Sequence, residues 1–241
     1  ELRRHFLNVP VYGGCAAMSN EGDFIYAATA VGARLGNMNY AWSCPISLEK
    51  AVARDPDLSG MFSVAGDSMI FVDKRGRRVV NEKLAYNELS QMIFQWDPAR
   101  SEYPYLVLIS VWDQCSQDHS ASDEYGRLIV PPGTDDRHVI RGETLEELAD
   151  NIRERLARYA DVTGGLALAD DFARQLSASI ARYNGFAEHG RDLDFQRGDR
   201  IVEQLFNGNV RDEPGRENPT MYPISGQGPY YAALVTGGTL D

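Results

Sequence analysis

Asn218-Pro-Thr-Met-Tyr-Pro-Ile-Ser-Gly-Gln-Gly-Pro-Tyr-Tyr-Ala-Ala-Leu-Val-Thr-Gly-Gly-Thr-Leu-Asp241 is the stretch that decides how the chain is read. Three prolines, four glycines and three tyrosines surround one short apolar strand, and a Gly-Gly pair that reads as a turn follows it. Apolar strands that feed glycine turns let a backbone approach a ligand closely. A strand of this kind needs neighbours, and the rest of the chain supplies them.

Tyr105-Leu-Val-Leu-Ile-Ser-Val-Trp112 is a nearly continuous apolar run of strand length, which predicts a central strand covered on both faces. Ser68 to Glu82 reads as a hairpin: Met69–Val72 and Val79–Val80 are β-formers, and Asp73-Lys-Arg-Gly76 is the turn. Helical spacing predicts three long helices. Residues 84–96 carry Leu89, Met92, Ile93 and Trp96. Thr144-Leu-Glu-Glu147 is a capping box opening a helix with Leu145, Leu148, Ile152 and Leu156 on one stripe, broken by Gly164-Gly165. Phe172, Leu176, Ile180 and Tyr183 share a face of the next, which ends near Asn184-Gly185. The alanine-rich residues 22–35 predict a buried helix ended by Gly36, and Trp42-Ser-Cys-Pro-Ile-Ser a crossing between domains. Residues 113–143 read as polar and irregular.

A chain of 241 residues with 43% hydrophobic content can bury a core, as one large domain or two small ones. The net charge of −11 disfavours nucleic acid and anionic membrane surfaces as partners. No apolar run approaches the roughly 20 residues needed to span a bilayer. Cys15, Cys44 and Cys115 are odd in number and widely spaced, which argues against a disulfide framework and suits a reducing cytoplasm.

No complete dinucleotide fingerprint, P-loop, nucleophile elbow or zinc-binding helix motif is present. Asp113, Cys115, Asp118, His119 and Asp123 have metal-ligand types without ligand spacing, so no metal is expected. Arg197-Gly-Asp199 is a three-residue match of the kind that arises by chance. His5, His119, His138 and His189 are scattered. Only His189, just after a helix end, is a candidate for a role near substrate.

Gly76-Arg-Arg-Val-Val-Asn-Glu82, four residues before Tyr86, resembles the Gly-Lys-Arg-Phe-x-Asn-Glu segment of the FAD-dependent fumarate reductase and 3-ketosteroid dehydrogenase superfamily. The position about four residues beyond Glu82, where fumarate reductases carry a proton-relay arginine, falls in Lys83-Leu-Ala-Tyr86-Asn, which has none. Glu-x-x-x-Tyr is similar to the steroid dehydrogenases. Further pieces keep the family's order. Glu21-Gly-Asp-Phe-Ile resembles its Thr-Gly-Asp-Gly-Ile helix, and Gly142-Glu-Thr-Leu-Glu-Glu-Leu-Ala149 a helix start. Arg182-Tyr-Asn-Gly with Gly190-Arg-Asp-Leu-Asp-Phe-Gln-Arg197 resembles its Tyr-Asn…Gly-x-Asp-x-Asp-Phe-x-Arg segment, and Gly228-Pro-Tyr-Tyr-Ala232 its return to the flavin domain.

The resemblance implies an α+β fold: a mixed sheet with packed helices forming a substrate-binding cap at 46–222. Fragments of an α/β FAD-binding domain would flank it at 1–45 and 223–241, and the pyrophosphate loop would lie upstream. It implies FAD as cofactor of the complete protein, absent from this piece, and an apolar carbonyl substrate such as a 3-ketosteroid. The remainder of the FAD domain is the implied partner. Tyr86 would take the substrate proton, with Tyr230 or Tyr231 and a backbone N–H near Gly237-Gly238 donating to the ketone oxygen. Gly22, Asp23, Gly237 and Gly238 would contact the cofactor, and Arg78, Glu82 and His189 would lie around the substrate. Arg77, Arg78 and Lys83 would supply the positive field that a phenol of pKa roughly 10 needs to act as a base. Met69, Phe71, Phe94 and Met221 would suit a flat apolar substrate. Fumarate-type reduction, or a cap module inactive by itself, are the alternatives.

Overall fold

The computed structural model describes residues 5–14, 16–17, 19–54, 66–119, 136–206 and 216–239. In chain order its elements begin with α1 (Asp23–Ala30), β1 (Ser43–Ser47), α2 (Leu48–Ala53), β2 (Met69–Val72), α3 (Tyr86–Ile93) and β3 (Leu108–Asp113). They continue with α4 (Gln114–His119), β4 (Ile140–Gly142), α5 (Leu145–Arg158), α6 (Ala160–Thr163), α7 (Phe172–Glu188), α8 (Ile201–Phe206) and β5 (Tyr230–Thr239).

β3 is buried at every position, as its apolar run requires, and lies between β2 and β5. On the far edge of β5, β1 pairs with residues 235–239 and β4 with residues 230–232. Every one of these ladders is antiparallel. The sheet is therefore antiparallel where a mixed one was expected; the parallel pairing among the described residues is an isolated bridge from Gly14 to Thr239.

Side-chain alternation divides the sheet into two apolar faces. Ile70, Val72, Ile109, Val111, Tyr230, Ala232 and Leu234 meet the stripes of α5 and α7. Met69, Phe71, Leu108, Trp112, Ala233 and Val235 meet Leu89 and Ile93 of α3. Burying both faces is the main favourable term in the fold, about 1.5–3 kcal/mol for each large side chain.

Local chemistry explains where the elements depart from their sequence patterns. The Asp73 carboxylate accepts from the N–H groups of Arg75 and Arg77 (2.9 and 3.0 Å) to make the turn. Gly76, at φ 77°, lies so close to α7 that a Cβ would come within 2.6 Å of the Phe172 carbonyl oxygen. The expected second arm of this hairpin shrinks to one bridge, Val72 to Arg78. In the capping box the Thr144 hydroxyl accepts from Glu147 N–H, but the Glu147 carboxylate accepts from Glu143 rather than from Thr144. α7 runs through Asn184-Gly185 because both ends of the Asn184 amide bond to the Ile224 backbone, at 2.8 Å each, instead of competing for its own helix.

Three further expectations are corrected. Residues 22–35 make a shorter helix that ends before Gly32 (φ 85°), and only Ile25 in it is buried. The stretch Trp42-Ser-Cys-Pro-Ile-Ser contains strand β1, where Pro45 is tolerated because the strand is an edge. Residues 113–143 include α4 and β4, while the Pro131-Pro-Gly-Thr segment lies outside the described residues. Gly237 and Gly238 are strand residues of β5 and make no turn. Among the described residues no helix is long and apolar enough to cross a membrane.

Candidate functional site

The most concentrated chemistry is a charge cluster at the β2 edge of the sheet. Glu82 is fully buried and its carboxylate accepts four hydrogen bonds. Two come from Arg78 (2.8 Å each), one from Arg197 (3.1 Å) and one from Phe71 N–H (3.1 Å). Arg78 also donates to Asp192 at 2.7 Å, and its guanidinium lies over the rings of Tyr183 and Phe195. Arg197, wholly buried, donates further to the carbonyls of Met69, Asp67 and Thr220. Lys83 Nζ lies 3.6 Å from Asp67 Oδ1, and Tyr183 donates to the Asp67 carbonyl at 2.6 Å.

The ionisations follow from this packing. Burial alone would raise the Glu82 carboxyl, but Arg78 and then Arg197 outweigh it and hold it below its ordinary range. Asp192 is held low in the same way, its burial outweighed by Arg78. Burial pushes Lys83 down to about 8, with Asp67 opposing and Arg197 adding to the effect. Burial likewise drives Tyr183 up to about 12. Three buried cations thus face three buried carboxylates, which leaves the cluster close to charge balance. Arg77 is exposed.

Tyr86 opens α3, half-buried, and packs against the cluster of Cys44, Ile46 and Ala51. Its ring stacks on Trp42, with centroids 6.1 Å apart and an interplanar angle of 20°. Cys44 pairs across the ladder with Gly238, which places Tyr86 toward the Gly237-Gly238 end of β5.

Tyr230 and Tyr231 occupy the other end of that strand, and as neighbours they point to opposite faces. Tyr230 is buried on the α5/α7 face, and its hydroxyl is raised by burial, then by Asp113 and Glu146. Tyr231 stacks on Trp112 (6.1 Å, 17°) and donates to Gln114 Oε1 at 2.5 Å. Gly237 lies six positions beyond Tyr231 on the strand, about 20 Å at ~3.4 Å per residue. One ketone oxygen cannot receive hydrogen bonds from both, so the clamp expected from the sequence does not assemble.

The glycines of β5 serve close packing. A Cβ on Gly237 would lie 2.4 Å from Phe94 Cζ, and one on Gly238 would lie 2.7 Å from Ile46 Cγ2. Pro45, opposite Gly237, has no N–H, so the pair takes a non-hydrogen-bonded position and the Gly237 N–H is directed away from β1. β3 pairs with β5 only as far as Val235, so Gly237 lies beyond that ladder, buried against Phe94.

Gly22, at φ 82°, precedes α1, whose N-terminus has no side-chain cap, and Asp23 in its first turn is exposed. Uncapped N–H groups beside a carboxylate suit a ligand that carries both anionic and hydroxyl oxygens, which fits part of a flavin dinucleotide. His189 caps α7 with Nδ1 2.7 Å from the Gly185 carbonyl oxygen, away from the tyrosines in its bonding. Met69, Phe71 and Met221 are fully buried core, and Phe94 covers Gly237.

Arg197, Asp192, Tyr183 and Trp42 enter the sequence reading only as motif or core residues, and Asp67 does not enter it. For Arg197 the signal was the Asp-Leu-Asp-Phe-Gln-Arg run, whose acids precede a buried cation.

This sheet and its helices recur in solved dehydrogenases and reductases. The 3-ketosteroid delta1-dehydrogenase of Sterolibacterium denitrificans, solved with 1,4-androstadiene-3,17-dione, superposes at TM-score 0.70 and 25% identity, covering 99% of this chain and 40% of its own. The open conformation of a flavocytochrome c3 fumarate reductase shares the fold at TM-score 0.56 and 18% identity, covering 99% of this chain and 32% of its own. In sequence the chain is 30% identical over 232 residues to 4-oxocyclohexanecarboxylate 2-dehydrogenase of Sinomonas cyclohexanicum, covering 95% of this chain and 36% of the relative. It is 28% identical over 228 residues to 3-oxosteroid 1-dehydrogenase of Mycolicibacterium smegmatis, covering 93% of this chain and again 36% of the relative. The chain therefore spans little more than a third of these curated relatives. It belongs to the FAD binding domain family, whose sequence profile matches residues 10–240.

Proposed function

We propose that the protein is the substrate-facing part of an FAD-dependent dehydrogenase that introduces a double bond next to a ring ketone, with Tyr86 taking the proton. Residues 46–222 act as the substrate-covering cap. Residues 1–45 and 223–241 are edges of the flavin domain, with the seam passing through β1. The remainder of a flavin domain is the proposed partner of these residues, and the cysteine spacing fits a cytoplasmic setting.

The observation that carries this reading is Tyr86, a half-buried phenol braced by Trp42 toward the Gly237-Gly238 end of β5. Support for the substrate class comes from the relatives' names, which both describe dehydrogenation of a ring bearing an oxo group. FAD, when bound, would supply the hydride-accepting chemistry. Tyr86 Oη, acting as the phenolate, would take the proton from the carbon beside the ketone and become the neutral phenol, and the Gly237 N–H would donate to the ketone oxygen where negative charge gathers. Gly22 and Asp23 hold part of the dinucleotide at the N-terminus of α1. Gln114 fixes Tyr231 at a distance from the reacting carbon, so Tyr231 shapes the far end of the site.

The test is anaerobic mixing of the FAD-loaded protein with 4-oxocyclohexanecarboxylate or a saturated 3-oxosteroid while the flavin absorbance is followed. Bleaching by a ring ketone, without reoxidation by fumarate, is the expected result. Reoxidation by fumarate with no bleaching by either ketone would replace this reading with fumarate-type reduction.

A further inference from the structure

We infer that Trp42 is a positioning residue for the base: its indole holds the Tyr86 ring so that the phenol oxygen reaches substrate in one orientation. The inference rests on the assignment of Tyr86 as that base. Tyr86 stands on the first turn of α3, where its ring would otherwise move between staggered rotamers about the Cα–Cβ bond. Two contacts restrict it: the apolar cluster of Cys44, Ile46 and Ala51, and the stacked Trp42 ring.

The stack has a second fastening. Ser43 N–H donates to Asn87 Oδ1 at 3.2 Å, so residues 42–43 are tied to residues 86–87 at two consecutive points, one aromatic and one polar. The burial of Trp42 separates it from an ordinary core residue. Trp112 is 0% exposed, whereas Trp42 keeps 58% of its surface in solvent. A large ring that contributes so little to the core, yet lies nearly parallel to the phenol of Tyr86, is placed to restrict that phenol. Catalytic geometry is sensitive to such restriction, because a misplacement of about 1 Å can lower a rate about a hundredfold.

The experiment compares wild type, Trp42→Phe, Trp42→Ala, Tyr86→Phe and the Trp42→Ala/Tyr86→Phe double variant in the FAD-loaded protein containing this chain. Flavin reduction by 4-oxocyclohexanecarboxylate is followed with and without deuterium at the carbon beside the ketone. Trp42→Ala is expected to slow reduction by about tenfold to a hundredfold and to enlarge the isotope effect. The KM should stay within about threefold, because substrate binding is not what is lost. Trp42→Phe restores most of the rate, and the double variant is no slower than Tyr86→Phe alone. A fluorotyrosine at position 86 gives a readout without turnover: its fluorine resonance should shift or broaden in Trp42→Ala.

An unchanged resonance, a raised KM with an unchanged rate, or losses that multiply in the double variant would each overturn the positioning role. A slow Tyr86→Phe beside a normal Trp42→Ala would overturn this inference alone. A normal Tyr86→Phe would overturn the base assignment and the positioning role with it. If Trp42→Ala does not accumulate as folded protein, Asn87→Ala removes only the polar tie, and a wild-type reduction rate there overturns the inference.

Discussion

Replacing Glu82 with Gln changes few atoms in the protein's most crowded electrostatic site. The carboxylate accepts from Arg78 twice, from Arg197 and from Phe71 N–H, and no part of it reaches solvent. Gln offers one acceptor oxygen and turns an NH2 group toward a donor, so about two charge-assisted hydrogen bonds are lost at ~1.5–3 kcal/mol each. The cluster also goes from charge balance to one uncompensated buried cation. Breaking a buried pair from one side costs about 3–5 kcal/mol, which agrees with the hydrogen-bond count. In a domain of this size, each kcal/mol moves Tm by about 2–4 °C, so Glu82→Gln should lower it by roughly 6–20 °C. The assay is thermal unfolding followed by circular dichroism near neutral pH, repeated down to pH 3. Glu82 and Asp192 titrate below their unfolded values, so the stability they contribute is present above about pH 4 and is lost as pH falls through their folded values. Glu82→Gln should therefore also flatten the acid limb. A Tm within about 2 °C of wild type, an unchanged acid limb, or both would refute the claim that this carboxylate holds the two arginines in place.

Two further outcomes follow from the same geometry. Lys83 titrates near 8 when folded against about 10.4 unfolded, so between these values the unfolded chain binds more protons and stability rises with pH. The rise between pH 8 and 10 should be about 2 kcal/mol in urea titrations and should vanish in Lys83→Met. Gly237→Ala places a methyl group 2.4 Å from the Phe94 ring and should cost about 1–3 kcal/mol by overpacking, read as a lower urea midpoint with an unchanged slope.

Periodicity made the central parts of the fold legible. The run ending at Trp112 reads as a strand covered on both faces; the stripes through Leu148 and Leu176 cover one face, and Leu89 and Ile93 cover the other. Edges were harder to read. Pro45 and two buried serines conceal β1, because an edge strand tolerates a missing donor. Gly237-Gly238 looked like a turn because glycine is a weak strand former. In the fold its missing side chains make room for Phe94 and Ile46. The charge cluster draws Asp67, Arg78, Glu82, Lys83, Asp192 and Arg197 from separate segments of the chain, and no local pattern records such a meeting. Tyr86 was reached through its resemblance to steroid dehydrogenases. Its partner Trp42 was not, since stacking depends on the approach of β1 to α3.

The account depends most on the proton taken by Tyr86. In anaerobic stopped-flow mixing of the FAD-loaded protein with a saturated ring ketone, Tyr86→Phe should slow flavin reduction by about 10²–10⁴-fold, the range for loss of a general base. Flavin content and thermal midpoint should remain those of the wild type. Reduction by Tyr86→Phe at the wild-type rate would contradict the account.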